Sequence, residues 1–314
     1  MPSPRSPSGR EPKASGGEER PCEDELSDSG ALVLVGTPIG NLGDLSPRAV
    51  EALRDADVIY AEDTRRTRAL LSHCDIPARD RLRTLHRHNE AELSAAVVEQ
   101  IASGARVAYV SDAGMPGISD PGERIVRACA DAGVTVECVP GPSAVVTALV
   151  LSALPTQPFT FLGFLERKGR ARREQLQSVA DAGHTTVLFE TANRLAATLA
   201  DLRDVVGGER PAAVLRELTK LHESAYRGSV DELIAMMESA VIETRGECVV
   251  VVGGRSDAEA VVADEATVDA RIAELVAAGL RVRDVADAVH VEFGLDRRAA
   301  YDRAVAMSKR RPAR

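Results

Sequence analysis

Aromatic residues and cysteines are scarce in this chain of 314 residues, and it contains no long apolar run. Aromatic side chains make up 3% of the sequence and tryptophan is absent, so valine, leucine, alanine and isoleucine must fill the cores. The longest weakly polar run, residues 143–154, contains serine and threonine and is far shorter than the roughly 20 residues that a membrane span requires. We therefore expect no membrane association.

The five cysteines are scattered and include no Cys-x-x-Cys pair. This pattern disfavours both a zinc site and a disulfide framework, so we expect no metal and unreactive thiols in a reducing compartment. The first 30 residues are rich in proline, serine, glycine and charged residues, and they lack the apolar segment of a secretory signal. We interpret residues 1–30 as a disordered tail on a cytoplasmic protein.

The net charge of −9 disfavours non-specific binding to nucleic acid, because polyanions repel an acidic protein. Two segments are nevertheless basic. Residues 65–88 contain seven arginines and three histidines against two aspartates, and residues 167–173 carry five positive charges and no acidic residue. Local basic segments of this kind predict RNA contacts more directly than net charge does. Solvated surface arginines are the competing interpretation of either segment.

Strand-like and helix-like segments alternate from residue 31 to about residue 154, which predicts a parallel sheet covered on both faces. Pro155-Thr-Gln-Pro158 interrupts the alternation. Beyond it, further strand and helix patterns and an extended piece at 223–228 predict a second, mixed sheet. Three short helices resembling a helix-turn-helix follow. The fold class is therefore α/β, with domains at 31–155 and 156–255, and with a linker and helical extension at 256–314.

Glycine and proline concentrate in three short segments, each of which follows an apolar run rich in β-branched residues. Such residues form tight turns whose backbone amides can approach a ligand closely. Because the carboxyl ends of parallel strands meet at one edge of a sheet, we expect a ligand site where the turns lie together. The segments are Gly36-Thr-Pro-Ile-Gly-Asn-Leu-Gly43, Ser111-Asp-Ala-Gly-Met-Pro-Gly-Ile-Ser-Asp-Pro-Gly122 and Pro140-Gly-Pro-Ser-Ala144.

The spacing of these glycines excludes two common nucleotide-binding motifs. A P-loop ends in Gly-Lys-Ser/Thr, whereas Gly40 is followed by Asn41 and Leu42. A dinucleotide fingerprint requires Gly-x-Gly-x-x-Gly, which Gly36, Gly40 and Gly43 do not supply. No basic residue lies within the three segments, which favours a ligand with little phosphate charge, such as an adenosine-containing sulfonium compound.

The first two of these segments, together with several others, resemble the ribosomal RNA small subunit methyltransferase I family. The resemblance covers about residues 31–255, and the terminal helices are similar to that family's small C-terminal helical domain. The further matching segments are Ala61-Glu-Asp-Thr-Arg65, His88-Asn-Glu90, Gly163-Phe-Leu165 with Lys168, Arg216-Glu-Leu-Thr-Lys220 and Arg227-Gly228.

The resemblance implies two α/β domains of tetrapyrrole-methylase type, with S-adenosylmethionine bound in the cleft between them. It also implies 2′-O-methylation of a cytidine, cytidine 1402 of 16S rRNA, at the decoding centre of the small ribosomal subunit. The 16S rRNA, within the small subunit, is the implied partner, and a homodimer is the implied assembly.

The resemblance implies the cofactor contacts, whereas the chemistry of methyl transfer suggests the candidate bases and local charge suggests the RNA contacts. Cofactor contacts are expected from all three turns and from Leu188 or Phe189 in the second domain. A carboxylate or imidazole near the ribose hydroxyl would act as base. RNA phosphates would meet the basic segments. The expected cofactor contacts are Thr37, Pro38, Ile39, Ser111, Asp112, Ala113, Gly114, Ile118, Ser143 and Ala144; the candidate bases are Glu62, Asp63, His88 and Glu190; and the expected RNA contacts are Arg65, Arg66, Arg167, Lys168 and Arg170.

Structural roles compete with several of these assignments. Ser143 and the Asp63-Thr64 pair are each suited to cap a helix, Asp112 could brace its turn, and Ile39 and Ile118 could be core residues. The chain also departs from the family pattern, with Met115 where threonine is usual, Glu166 where proline is usual and Asn193 where histidine is usual. The alternative functions are a methyltransferase of the same fold acting on a tetrapyrrole precursor and a non-catalytic ribosome- or RNA-binding module.

Overall fold

The computed structural model describes residues 30–255, 265–293, 295 and 297–309. Its first half contains a five-stranded parallel sheet with the strand order β3-β2-β4-β1-β5. The strands are β1 (Ala31–Val35), β2 (Val58–Ala61), β3 (Leu82–Thr84), β4 (Arg106–Val110) and β5 (Thr135–Val139). The helices between and after them are α1 (Pro47–Asp55), α2 (Thr64–His73), α3 (Glu90–Ala102), α4 (Glu123–Asp131) and α5 (Ala144–Leu151).

Both faces of this sheet are buried, as the apolar strand sequences predict. Successive residues of β1 alternate between two cores, because side chains along a strand point to opposite faces. Val33 and Val35 belong to one apolar cluster, and Leu32 belongs to another with Tyr109 of β4. Ser46 caps the helix that follows β1: the Ala49 N–H donates to the Ser46 hydroxyl at 3.1 Å, and Pro47 opens α1.

The second sheet has the order β6-β7-β10-β8-β9 and is mixed. β6 runs parallel to β7, whereas the remaining neighbours pair antiparallel. Its strands are β6 (Phe159–Phe164), β7 (Thr185–Thr191), β8 (Pro211–Arg216), β9 (Ser224–Ser229) and β10 (Glu247–Val252). Its helices are α6 (Gly169–Asp181), α7 (Ala192–Val206) and α8 (Val230–Glu238). The prediction of an extended piece near residue 224 is confirmed as β9.

Helix α5 connects the two halves of the molecule. It follows the last strand of the first sheet, yet its buried residues Val145, Ala148 and Leu149 share an apolar cluster with Val187 of β7 and Val249 of β10. The opposite face of the second sheet packs against α6, α7 and α8 through another cluster that includes Leu188 and Val250. The second sheet is therefore covered by its own helices on one side and by α5 on the other.

The last three helices form a separate small core. They are α9 (Glu265–Ala277), α10 (Val282–Phe293) and α11 (Arg297–Lys309), and buried Ile272, Val285, Val289 and Ala304 lie between them. The predicted tail up to residue 29 and the predicted linker at 256–264 lie outside the described residues. Within the described part of the chain, no helix combines the length and the apolar character that crossing a bilayer requires.

Candidate functional site

The three glycine-rich turns meet at the carboxyl edge of the first sheet. The Thr37 N–H donates to the Gly114 carbonyl at 2.9 Å, and the Gly114 N–H donates back to Thr37 at 3.1 Å. The Gly36 N–H donates to the carbonyl of Val139, at the end of β5, at 2.9 Å. The first turn is therefore hydrogen-bonded to the second turn and to the end of the strand that leads into the third, so the three turns lie together, as expected from the sequence.

Two glycines in these turns are in direct backbone contact. A Cβ atom on Gly141 would lie 2.7 Å from the Gly36 carbonyl carbon, and a Cβ on Gly36 would lie 2.5 Å from the Gly141 nitrogen. The Gly141 N–H donates to the Met115 sulfur at 3.3 Å, so the thioether of the second loop contacts the third turn. Only residues without a side chain fit at positions 36 and 141.

A cavity of about 370 Å³ lies between these turns and the second sheet. Its volume falls in the usual range for small-molecule sites. The first half of the chain lines it with the turns, the start of α5 and the end of β2. The second half contributes the ends of β6 and β7, the start of β10 and the loop after β8. Representative lining residues are Ile39, Glu62, Asp112, Ile118, Ser143, Phe164, Phe189, Leu218 and Val249.

Three carboxylates and one arginine make up the polar end of the cavity: Glu62, Asp112, Asp120 and Arg66. Burial raises the pKa of Asp120 to about 6, and the nearby charges of Glu62 and Asp112 add to the rise. Burial likewise raises the pKa of Glu62, with a further contribution from Asp112. This end of the cavity is therefore acidic and suits a cationic ligand.

Asp112 also holds two loops together. The backbone N–H of Asp63 donates to Asp112 Oδ1 at 3.0 Å, and Arg66 Nη1 lies 3.5 Å from Asp112 Oδ2. The carboxylate thus braces the loop after β2, and it lines the cavity at the same time. The two interpretations of Asp112 that the sequence left open, a ligand contact and a brace, are compatible in one side chain.

The structure brings most of the predicted cofactor contacts together. Ile39, Asp112, Ala113, Gly114, Ile118, Ser143 and Ala144 line the cavity. Thr37 and Ser111 are buried behind it, where the Thr37 hydroxyl donates to the Ser111 carbonyl at 3.3 Å, and Pro38 is half-buried in the same turn. Ser143 precedes α5, and within the described chain its side chain makes no capping hydrogen bond to that helix.

Of the two residues predicted from β7, Leu188 does not line the cavity and Phe189 does. Leu188 is fully buried in the cluster beneath α6 and α7, whereas its neighbour Phe189 lines the cavity. The reason is the alternation of side chains along the strand, which places adjacent residues on opposite faces.

Two of the candidate bases lie outside the cavity lining that the described residues form. Asp63 caps α2: its carboxylate accepts from the Arg65 N–H at 2.8 Å, and hydrogen bonds from Arg65 lower its pKa to about 2. His88 is exposed beside His86. Glu190 does line the cavity, but its carboxylate accepts from the Thr198 hydroxyl at 2.6 Å and from the Thr191 N–H at 2.8 Å. Glu62 remains as the predicted base that faces the cavity.

The predicted RNA contacts lie at different places. Arg66 lines the cavity, and Arg65 is exposed and paired with Asp63 at 2.8 Å. Arg167 borders a second hollow of about 360 Å³ beside α6 and α7, Lys168 precedes α6, and exposed Arg170 pairs with Glu174 at 2.6 Å.

Asp120, Phe164 and Leu218 line the cavity but were missed as site residues from the sequence. Each belongs to a segment that carried the family resemblance. The resemblance of the whole segment was therefore the signal that could have identified these residues. The described part of the chain contains no group of three or more His, Cys, Asp or Glu side chains that could hold a metal ion.

Comparison with known proteins agrees with this architecture. Residues 31–234 match the Tetrapyrrole (Corrin/Porphyrin) Methylases, so the fold and its cavity define a protein of the tetrapyrrole methylase class. Among solved structures, a cobalt precorrin-4 methyltransferase is similar with a TM-score of 0.52 and 20% identity, over 71% of this chain and 94% of the other. At that identity the likeness concerns the fold alone. The predicted fold class is confirmed.

Closer relatives are found among proteins named ribosomal RNA small subunit methyltransferase I. The protein from Mycobacterium tuberculosis strain H37Rv is 48% identical over 283 residues, which is 90% of this chain and 96% of the relative. The protein from Synechocystis sp. is 41% identical over 272 residues, covering 87% and 96% respectively. The chain therefore belongs to the ribosomal RNA small subunit methyltransferase I family, as the sequence motifs indicated.

Proposed function

We propose that this protein transfers a methyl group from S-adenosylmethionine to the ribose 2′-hydroxyl of a cytidine, cytidine 1402, in the 16S rRNA of the small ribosomal subunit. The names of its relatives support ribosomal RNA as the substrate. The observation that carries the proposal is the cavity between the two sheets, which combines a floor of glycine-rich turns with an acidic end. The cytidine and its 2′-oxygen come from the family resemblance.

The residues of the cavity fit S-adenosylmethionine. Its sulfonium and amino groups are cationic, and the carboxylates of Asp112, Glu62 and Asp120 supply the matching negative charge. Its adenine ring is flat and can pack against apolar surface, which Ile39 and Val249 offer beside backbone amides of the turns. A phosphate-rich ligand would be repelled by the same carboxylates. We assign the turns and Asp112 to holding the methyl donor.

When bound, S-adenosylmethionine would supply an electrophilic methyl group attached to a sulfonium. Methyl transfer of this kind depends on alignment, so the rigid contacts among the turns have a direct role in orienting the reactants. The hydrogen bonds between Thr37 and Gly114 and the backbone contact of Gly36 with Gly141 fix that floor. The second sheet contributes the opposite wall of the cavity through Phe189 and Val249.

The ribose hydroxyl must lose its proton during the reaction, and a carboxylate within hydrogen-bond reach can accept it. Asp120 and Glu62 face the cavity and are the groups we assign to this role. A pKa of about 6 leaves Asp120 mostly ionised at neutral pH and still a much stronger base than an ordinary aspartate. Asp63 and His88 are not assigned as the base, because neither lines the cavity.

We further propose that the basic segment at the start of α6 contacts RNA phosphates. Arg167, Lys168 and Arg170 lie near one another on the surface next to the end of β6, whose Phe164 lines the cavity. Lysine and arginine contacts to phosphates position an RNA without reading its sequence. Neutralising all three residues should weaken RNA binding and spare binding of S-adenosylmethionine.

The direct test is methylation of small ribosomal subunits from a strain that lacks this protein, followed by mapping of the modified nucleotide. The proposal expects one new 2′-O-methyl group at the cytidine. A methyl group on a base, at another nucleotide, or only on an added tetrapyrrole would refute the assigned reaction. Offering naked 16S rRNA alongside assembled subunits would identify the form that is recognised.

Calorimetry tests the donor site separately. Asp112→Ala should cripple binding of S-adenosylmethionine, because both the charge and the brace to the Asp63 N–H are lost. Asp112→Asn is the matched control, since its amide oxygen can still accept that hydrogen bond. Weak binding in both variants would assign the effect to charge, and weak binding in the alanine variant alone would assign it to loop position. Normal affinity in both would remove Asp112 from the site, and wild-type protein without binding heat would indicate a non-catalytic module.

The assembly we propose is a cytoplasmic homodimer. The outer face of α5 supports a self-association surface, because Val146 and Val150 lie one turn apart and are 53% and 67% exposed. Light scattering after size-exclusion chromatography should give twice the chain mass for the wild type. Val150→Asp should shift the mass towards one chain, whereas Val241→Asp, at an exposed valine elsewhere, should not. A monomeric wild-type protein would refute the dimer.

A further inference from the structure

Phenylalanine is concentrated at one wall of the cavity. The chain has five phenylalanines and no tryptophan, yet Phe161, Phe164 and Phe189 form one group at the ends of β6 and β7. The rings of Phe161 and Phe189 are edge-to-face with centroids 4.8 Å apart, and those of Phe164 and Phe189 are edge-to-face at 5.5 Å. Such pairs stabilise each other beyond the effect of burial, which holds the rings in place.

A bulge in β6 places Phe164 at the cavity. Phe161 pairs with Val187 of β7, but after the irregularity Phe164 pairs with Phe189, so β6 contains one extra residue between these pairs. Val187 and Phe189 lie on the same face of the sheet, and the extra residue returns Phe164 to that face. Without it, regular alternation would direct Phe164 to the opposite face. Gly163 supports the bulge with a φ of +68°.

The ring that the bulge brings to this place remains unburied. Phe164 is 49% exposed although it lines the cavity, and Ile118, which lines the same cavity, is 50% exposed. Phe161 and Phe189 are half-buried, so Phe164 is the most exposed ring of the group. A flat apolar ring at the mouth of a polar cavity is suited to stacking against another flat group.

The chain continues from Phe164 directly into the basic segment. Arg167 follows three residues later, and Lys168 and Arg170 lie at the start of α6. An aromatic platform beside lysine and arginine side chains is the combination that binds single-stranded nucleic acid, with bases on the ring and phosphates on the cations. RNA-binding proteins commonly recognise unpaired bases in this way.

We infer that Phe164 is the platform on which the base of the target nucleotide stacks while its ribose enters the cavity. The inference rests on the proposed function and adds the substrate's conformation, which is an unpaired nucleotide whose base has left its neighbours. The inference is supported by the bulge, the half-exposed ring and the adjacent basic segment. Phe164 is accordingly a residue for binding and positioning the RNA, and the cavity carboxylates perform the chemistry.

Steady-state methylation of small ribosomal subunits by Phe164 variants tests the inference. Phe164→Ala should lower kcat/KM for the subunit between about fivefold and about a hundredfold, the range measured when stacked aromatics are removed. Phe164→Tyr should retain most of the activity because it keeps the ring, and Phe164→Leu should lose it although it stays apolar. Phe159→Ala is the matched control, because Phe159 lies at the other end of β6 and is 40% exposed.

Two further measurements separate this inference from its alternatives. Calorimetry should give Phe164→Ala the wild-type affinity for S-adenosylmethionine; a loss of affinity would mean that the ring stacks on the donor's adenine instead. A short RNA with 2-aminopurine beside the target cytidine should brighten with wild-type protein as the cytidine unstacks, and should brighten less with Phe164→Ala.

Unchanged kcat/KM and unchanged brightening in Phe164→Ala would overturn the inference while leaving the proposed function in place. If the wild-type protein failed to methylate the subunit at all, the proposed function itself would fail. Circular dichroism and thermal unfolding of each variant would show whether a lost activity reflects a lost fold. Phe164→Tyr covers the case in which Phe164→Ala does not fold.

Discussion

Asp120 offers a prediction that connects stability with the chemistry of the cavity. Its pKa rises from 3.8 to about 6 on folding, chiefly because the carboxylate is buried and secondly because Glu62 lies nearby. A carboxyl group with a raised pKa stabilises the folded protein only while it is protonated. Its contribution is therefore fully present below pH 3.8 and is lost as the pH rises through about 6.

The magnitude follows from that difference in pKa. About two pKa units correspond to about 3 kcal/mol, but Asp120 is partly exposed and solvent screening reduces this to about 1–2 kcal/mol. Asp120→Asn removes the charge and nearly keeps the shape. We expect the variant to exceed the wild type in free energy of unfolding by about 1–2 kcal/mol at pH 7.5, and by far less at pH 4.

Urea denaturation followed by circular dichroism from pH 4 to pH 8 measures this difference. Asp204→Asn, at an exposed position on α7, is the control and should show no pH-dependent gain. The same Asp120 variant should lose methylation activity by about a hundredfold or more at pH 8 if the carboxylate accepts the ribose proton. An equal stability difference at pH 4 and pH 7.5 would refute the reasoning about burial, and full activity would refute the assignment as base.

Three other substitutions test the scaffold of the site. Gly141→Ala should destabilise the protein by about 1–3 kcal/mol, because the new methyl group would clash with the backbone of Gly36. The same variant should bind S-adenosylmethionine more weakly in calorimetry. An unaffected variant would show that the turns can separate. Glu90→Ala should cost about 1–3 kcal/mol in chemical denaturation, since its buried carboxylate accepts three backbone N–H groups at the start of α4, and Glu90→Gln should recover part of the loss. Ser229→Ala should cost about 1 kcal/mol through loss of the capping box of α8 and leave methylation unchanged; a fall in kcat would contradict a purely structural role.

The sequence was sufficient for most of the secondary structure and for the floor of the site. The apolar runs that precede the first and third glycine-rich segments coincide with β1 and β5, because each strand is short and ends in a turn. Family motifs then identified Asp112 and Ile118, which the structure places at the cavity. At these turns the glycine and proline pattern and the family motifs indicate the same site, because both reflect the backbone conformation of the turns.

The wall of the cavity that the second sheet forms could not be predicted from the sequence with the same accuracy. The choice between Leu188 and Phe189 depends on which face of β7 meets α5, and that is a contact between distant parts of the chain. Phe164 faces the cavity only because of a bulge, which shifts the period of alternation without an apolar signature. Asp63 was a candidate base because a carboxylate before a helix suits either a cap or a catalyst, and only its partners distinguish the two.

The position of α5 determines how the molecule can be divided. A fragment cut at the proline-rich break near residue 155 would retain this helix but leave Val145, Ala148 and Leu149 without the strands that cover them. Its complement would begin with one side of its sheet bare. We therefore expect separately expressed halves to aggregate, and to recover solubility when they are produced together. Evolutionary exchange of either half alone would likewise disrupt the packing of α5 against the second sheet.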